Sequence, residues 1–185
     1  MSNVLTEIHD DHRKYSHILN LIRFELDKLN DSSNPSYIRL YDIMHYMTNF
    51  PDLVHHPLEE IIFAELAKKK PELSETLAQL SLEHEKLASQ GNELKENLHR
   101  IVSGDIVSRK ALIDSTNAYH QLLTNHMNTE EGRVLPLIDE AFDENDWSIL
   151  QAQIAVLHDS VFEEVIRKES AQLYERIIQS PELVE

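Results

Sequence analysis

His126-Met127-Asn128-Thr129-Glu130-Glu131 lies near the middle of the chain's fourth long helical pattern. His126 and Glu130 are four residues apart, so on a helix they stand one turn apart on the same face. That face also carries Leu112, Tyr119, Leu123, Val134 and Leu137. An imidazole and a carboxylate in an apolar stripe are costly to bury unless something compensates them, and a bound cation is the simplest compensation. Outward from this stretch the pattern recurs at His55-His56-Pro57-Leu58-Glu59-Glu60, and single histidines, His12 and His84, interrupt two further apolar stripes.

Each stripe has a helical period. Leu5, Ile8, His12, Tyr15, Leu19, Ile22, Leu26 and Leu29 alternate three and four and predict a helix over Asn3 to Asn30. Asp31-Ser32-Ser33-Asn34-Pro35 breaks it. A second helical region, Pro35 to Lys70, is interrupted at Pro51 with Pro57 close behind, where a lost donor and a steric clash predict a kink or a restart. Its core line is His55, Glu59, Ile62, Phe63 and Leu66. Leu73, Leu77, Leu80, His84, Leu87, Gly91, Leu94, Leu98 and Ile101 predict a third helix from Glu72 to Ile101. A fourth runs from Ile106 to Phe142. Asp143-Glu144-Asn145-Asp146 offers an N-cap to a fifth, Trp147 to Gln179, with Leu150, Ile154, Leu157, Val161, Val165 and Tyr174 along it. The expected fold is all-α: an up-down-up-down four-helix bundle over residues 1–142, with a C-terminal helical extension, 143–185, packed on the same domain.

Composition narrows the chemistry. A formal net charge of −16 opposes binding to nucleic acid phosphates. The chain has no cysteine, which excludes disulfides, thiolate catalysis, iron–sulfur clusters and zinc–thiolate sites. Its 11 histidines are many for 185 residues. The N-terminal residues lack a basic region followed by an apolar run, and no apolar stretch approaches the ~20 residues of a membrane span. A soluble cytoplasmic protein, with no membrane partner, is the expectation.

In an antiparallel bundle the starts of odd helices and the ends of even ones share one end. At ~1.5 Å per residue, His12, His55, Glu59, His84, His126 and Glu130 then lie about 13–24 Å from that end, in one layer. Imidazole with carboxylate suits iron, manganese or zinc rather than calcium or magnesium. Six donors exceed one tetrahedral zinc and suit two ions about 3.5–4 Å apart, bridged by the two glutamates. The His55-His56 doublet offers two four-spaced pairs. His55 with Glu59 is read as the metal-facing one, because Glu59 continues into Ile62 and Leu66; His56 remains a candidate fifth imidazole. Glu60 and Glu131, rotated by ~100° from their neighbours, are read as outer partners or exposed. His9 is an outside candidate ligand read as a surface residue. His17, His45, His99, His120 and His158 are read as surface or helix-packing residues.

These segments, Asp11-His12, His55 to Glu60, Leu82-Glu83-His84-Glu85, and His126 to Glu131 with Leu135-Pro136 following, resemble the hemerythrin-like (HHE cation-binding) family over residues 5–140. The fifth helix resembles an extension found in one bacterial subgroup. The resemblance implies a non-haem diiron centre, oxo- or hydroxo-bridging included, on His12, His55, Glu59, His84, His126 and Glu130; manganese or zinc are the alternatives. The family's oxygen carriers use five histidines, with a second one on the third helix, whereas the positions one turn either side of His84 are Leu80 and Ala88. A vacant coordination position then implies a small diatomic or peroxide ligand, with Tyr15 and Tyr119 as hydrogen-bonding partners or further ligands. Binding, sensing or reducing a small oxidant is the function expected. Iron storage or donation, including iron-centre repair, and a metal-free helical interaction module stand as alternatives.

Overall fold

Helix α1 (Asn3–Asn30) buries every residue of its expected seam, from Leu5 to Leu29. The computed structural model describes residues 3–31, 33–158 and 161–179; Ser32 of the first turn and the side chains of Leu157, His158 and Val161 lie outside the described residues. Fully buried Glu25 holds the connection that follows α1: it accepts from the Ser36 N–H at 2.7 Å and from Arg39 Nη1 at 2.9 Å. Arg109 closes the last turn of α1, donating to the Leu29 carbonyl from Nε at 2.9 Å and from Nη2 at 2.7 Å. Helix α2 (Tyr37–Met47) begins at the N-cap Ser36, whose Oγ accepts from the Arg39 N–H at 3.2 Å.

The second region is interrupted at Thr48-Asn49, just before Pro51. A π-helical segment, Pro51–His55, leads into α3 (His56–Lys69), with the His56 N–H reaching back to the Pro51 carbonyl. Helix α4 (Ser74–Val102) follows a 3-10 turn at Pro71–Leu73. The fourth helical run is α5 (Arg109–Thr129), a second π segment (Glu130–Val134) and α6 (Leu135–Ala141). A π turn holds one residue more than an α turn. The buried stripe therefore continues through Val134, Leu135 and Ile138, and Leu137, expected on it, is only half-buried.

The four runs pack as the up-down-up-down bundle, and the described residues contain no strand. A polar layer divides the interior into two apolar clusters. Toward one end lie Ile18, Ile22, Ile43, Met44, Leu94 and Tyr119; toward the other lie Leu5, Ile8, Ile62, Leu80, Val134 and Ile138. The single fifth helix expected over Trp147 to Gln179 is two helices, α7 (Glu144–His158) and α8 (Val161–Gln179). Asp143 caps α7 as expected, its Oδ1 accepting from the N–H groups of Asn145 and Asp146 at 2.9 Å each, while Asp146 Oδ2 accepts from the Asp143 N–H at 2.8 Å. Leu150 and Ile154 of α7 join the second cluster; Ile166, Leu173 and Ile177 of α8 join the first. Val165, expected on the buried face, is 46% exposed, because the α8 stripe runs through Glu163, Ile166, Ser170, Leu173 and Ile177 instead. Among the described residues, no helix is long and apolar enough to cross a membrane.

Gly91 lets α4 approach its neighbours. A Cβ there would stand 2.8 Å from Thr48 Cγ2 and 3.2 Å from Tyr119 Cε2. Thr48 has little room to yield, since its Oγ1 donates to the Met44 carbonyl at 2.8 Å and accepts from Lys95 Nζ at 2.8 Å. Gly91→Ala gains about 1 kcal/mol of helix propensity and loses about 1–3 kcal/mol to overpacking. The substitution should therefore fail to stabilise the protein and should lower its melting temperature; a raised melting temperature would refute the close packing at this position.

Candidate metal centre

Two π segments place the polar layer. The first aims both members of the His55-His56 doublet inward: they are 2% and 7% exposed. The second begins at Glu130, which is fully buried. π turns recur at functional sites because they reorient side chains within an otherwise continuous helix.

The donor atoms converge around two carboxylates. Glu59 Oε1 lies 3.5 Å from His12 Nε2 and 3.3 Å from His55 Nε2, while its Oε2 lies 3.4 Å from His84 Nε2. Glu130 is arranged in the same sense. Its Oε2 lies 3.4 Å from His12 Nε2, and its Oε1 lies 3.1 Å from His126 Nε2 and 3.6 Å from His84 Nε2. His56, Glu59, His84 and His126 form one potential metal-binding group, and His12, His55 and Glu59 form another, with the donor atoms of each within 4.8 Å of one another. Glu59 is common to both groups, and Glu130 reaches each with one oxygen. His12 Nε2 and His55 Nε2 are 3.2 Å apart. That matches the ~3 Å between two nitrogens held at right angles ~2.1 Å from one ion.

All six residues read as principal ligands thus meet in one layer. Among the further candidates, His56 enters the donor set, its ring stacked on that of His84 with centroids 4.1 Å apart. Tyr15 borders it, with its ring edge-on to His55 at 5.0 Å and 6.1 Å from His12. Tyr119 packs in the first apolar cluster beside Gly91 and belongs to neither donor group. His9 is half-buried and also outside both groups; its Nδ1 shares Glu131 with His12. His17, His45 and His99 are exposed, and His120 is partly buried.

His12, His55, His84 and His126 turn Nε2 inward, and the Nδ1 of each faces a carboxylate. His12 Nδ1 bonds Glu131 at 2.7 Å, and His84 Nδ1 bonds Glu60 at 2.7 Å, in the outer role expected for both glutamates. His126 Nδ1 bonds Glu83 at 3.1 Å, and His55 Nδ1 bonds Asp11 at 3.3 Å. His56 Nδ1 lies 3.4 Å from Asp52 one turn earlier. Such partners fix the tautomer and raise the basicity of a ligating histidine. The sequence reading missed Asp11, Glu83 and Asp52. A usable signal was present for two of them: Asp11 and Glu83 immediately precede seam histidines, although each serves a histidine on another helix.

The donor set fits a cation on independent grounds. Both oxygens of Glu59 and of Glu130, with the Nε2 atoms of His84 and His126, are buried without a hydrogen-bond partner. Buried acceptors of this kind cost several kcal/mol unless compensated. In the metal-free chain, protons supply part of the compensation. Burial alone would push the His12 imidazole down, but the Glu131 hydrogen bond and the Glu59 and Glu130 carboxylates prevail and raise it to about 10. His84, likewise opposed by burial, is raised to about 11 by Glu130, Glu59 and Glu60. Burial also works against ionisation of Glu59, yet His55, His12 and His84 hold its carboxyl well below the ordinary range.

Fold and site together define a helical bundle built to hold cations on histidine and carboxylate. The hemerythrin HHE cation-binding domain matches residues 3–138, and the chain belongs to that family. No curated protein and no solved structure matches it.

Cations must displace the protons on His12 and His84. Metal loading near pH 7.5 should release protons, measurable with an indicator dye, and affinity should rise with pH until the pH passes about 10 to 11. The proton-bound imidazoles stabilise the metal-free fold fully below their ordinary value of 6.5, and this contribution is lost as pH rises through the same values. A second test is Glu83→Ala, which frees the His126 ring. It should weaken metal binding by about 10–100-fold in a competition titration while leaving helical content intact.

Proposed function

We propose that the chain is a non-haem diiron protein that binds, senses or reduces a small oxidant: oxygen, nitric oxide or peroxide. One observation carries this reading. Each buried carboxylate directs one oxygen to the His12/His55 side and the other to the His84/His126 side, the disposition of a bridge between two ions. His12 and His55 would hold one iron; His56, His84 and His126 would hold the other; Glu59 and Glu130 would span both. Bound iron supplies redox and Lewis-acid chemistry at this position.

The chain's own residues would do the rest. The Nδ1 carboxylates hold His12, His55, His84 and His126 with Nε2 presented, and the apolar clusters close the layer off toward both ends of the bundle. The His12/His55 side carries one imidazole fewer, which leaves room for a small ligand there. Tyr15 stands on that side with its hydroxyl buried and unpartnered, its ionisation opposed chiefly by burial. A neutral phenol of this kind can donate one hydrogen bond to a small anionic or diatomic ligand. The same fully buried, unpartnered carboxylates weigh against a metal-free interaction module. Iron storage or donation remains the competing use of this centre, and ready loss of iron to a weak chelator would favour it.

Iron quantitation with anaerobic spectroscopy tests the proposal. Wild type should hold two irons per chain, with near-ultraviolet bands that shift on adding oxygen, peroxide or nitric oxide. Glu130→Ala should lose at least one iron and those shifts. Tyr15→Phe should retain both irons yet bind azide or nitric oxide about fivefold to tenfold more weakly, the loss of one hydrogen bond of about 1–1.5 kcal/mol. Iron-free wild type, or bands indifferent to all three ligands, would overturn the reading.

A further inference from the structure

Among the described residues, two surface clefts have a donor histidine of the layer in their walls. One, of about 330 Å³, lies over His12 and is lined by His9, Arg13, Ser16 and Glu131. The other, of about 600 Å³, has Asp52, His56, Glu60, His84, Glu85 and Ala88 in its wall. A divalent cation with six waters needs roughly 180 Å³, at ~30 Å³ per water. Volume therefore admits it to either cleft, and charge makes the choice. The first cleft presents the Arg13 guanidinium, paired with Asp10, and its one lining carboxylate, Glu131, is bonded across it to both His9 and His12. The second presents three carboxylates, with no lysine or arginine among its described lining residues.

We propose that the cleft beside Ala88, between α3 and α4, is the port through which divalent cations enter and leave the centre. Clefts lined by one sign of charge concentrate the opposite ion and raise its association rate. Glu85 is exposed at the wall, while Glu60 is half-buried and held by Ser81 Oγ at 2.7 Å. Deeper in, two ligand rings form the wall itself. His56 and His84 are stacked with centroids 4.1 Å apart, their Nδ1 edges on Asp52 and Glu60. His84 Nε2 is buried without a hydrogen-bond partner, turned toward Glu59 and Glu130. One imidazole, His84, thus separates the carboxylates of the cleft from the inner donor set. Ala88, one turn beyond His84, keeps the approach open because its side chain is a single methyl group. The inference rests on cation binding at this centre and not on what the loaded centre reacts with.

The test is the rate of Co²⁺ uptake by the metal-free full chain, followed by the visible bands of the ion, together with its extraction by EDTA. Ala88→Trp fills the port and should slow both processes by on the order of tenfold or more, with the final stoichiometry and the circular dichroism unchanged. Glu85→Lys should slow uptake by roughly threefold at low salt and lose that effect at high salt. Ser16→Trp, which fills the opposite cleft, should leave the rates as in wild type. Normal rates in Ala88→Trp, or slowing by Ser16→Trp instead, would overturn the port while leaving the metal centre standing. Failure of wild type to take up cobalt in stoichiometric amount would overturn both.

Discussion

Two carboxylates buried with no hydrogen bond, Glu59 and Glu130, are the constraint on which the rest of this structure turns. Each costs several kcal/mol to bury as an anion, against a total stability of about 5–15 kcal/mol for a typical domain. A bundle that only needed to fold would fill these positions with leucine, as it does two turns away at Leu66 and Leu123. Cations, or protons on the surrounding imidazoles in their absence, are what make the anions tolerable. The stability of the fold is therefore tied to the state of the centre.

The outer carboxylates extend that tie to the whole bundle. Asp11 of α1 serves His55 of the first π segment; Glu60 of α3 serves His84 of α4; Glu83 of α4 serves His126 of α5; and Glu131 of the second π segment serves His12 of α1. The four contacts close a ring around the bundle. Each helical run gives one carboxylate to the next run's imidazole and receives one in return. Sliding one helix along its neighbours by a turn would break two of these contacts and misplace a ligand, so the register of the helices and the geometry of the centre are fixed by the same bonds.

Much of this was legible in the sequence. A three-four apolar spacing makes a polar intruder visible, which is how His12, His84, His126, Glu59 and Glu130 stood out of otherwise oily seams. The ring of outer carboxylates was not legible as a ring. Asp11, Glu83 and Glu131 sit one position off the seam, where acidic residues are ordinary, and each partner lies on another helix. The doublet His55-His56 was ambiguous for a different reason: at 100° per residue, neighbours on an α-helix do not share a face, and only the π segment ending at His55 turns both inward. The same kind of irregularity after Glu130 moved burial from Leu137 to Ile138. In α8 the spacing allowed more than one face, and contact with α2 selected the one through Ile166 rather than Val165.

The π segments themselves argue for what the layer is for. π turns are rare and occur mostly as single insertions in α-helices, frequently at functional sites. Here one ends at His55, just before His56, and the other begins at Glu130, while the lone histidines His12 and His84 sit on unbroken α-helices. The distortion falls where one run must supply more than one inward donor, and it is missing where a run supplies one. Packing alone gives no reason for that division, since every run buries an apolar stripe. A requirement to bring five nitrogens and four oxygens to a common centre does.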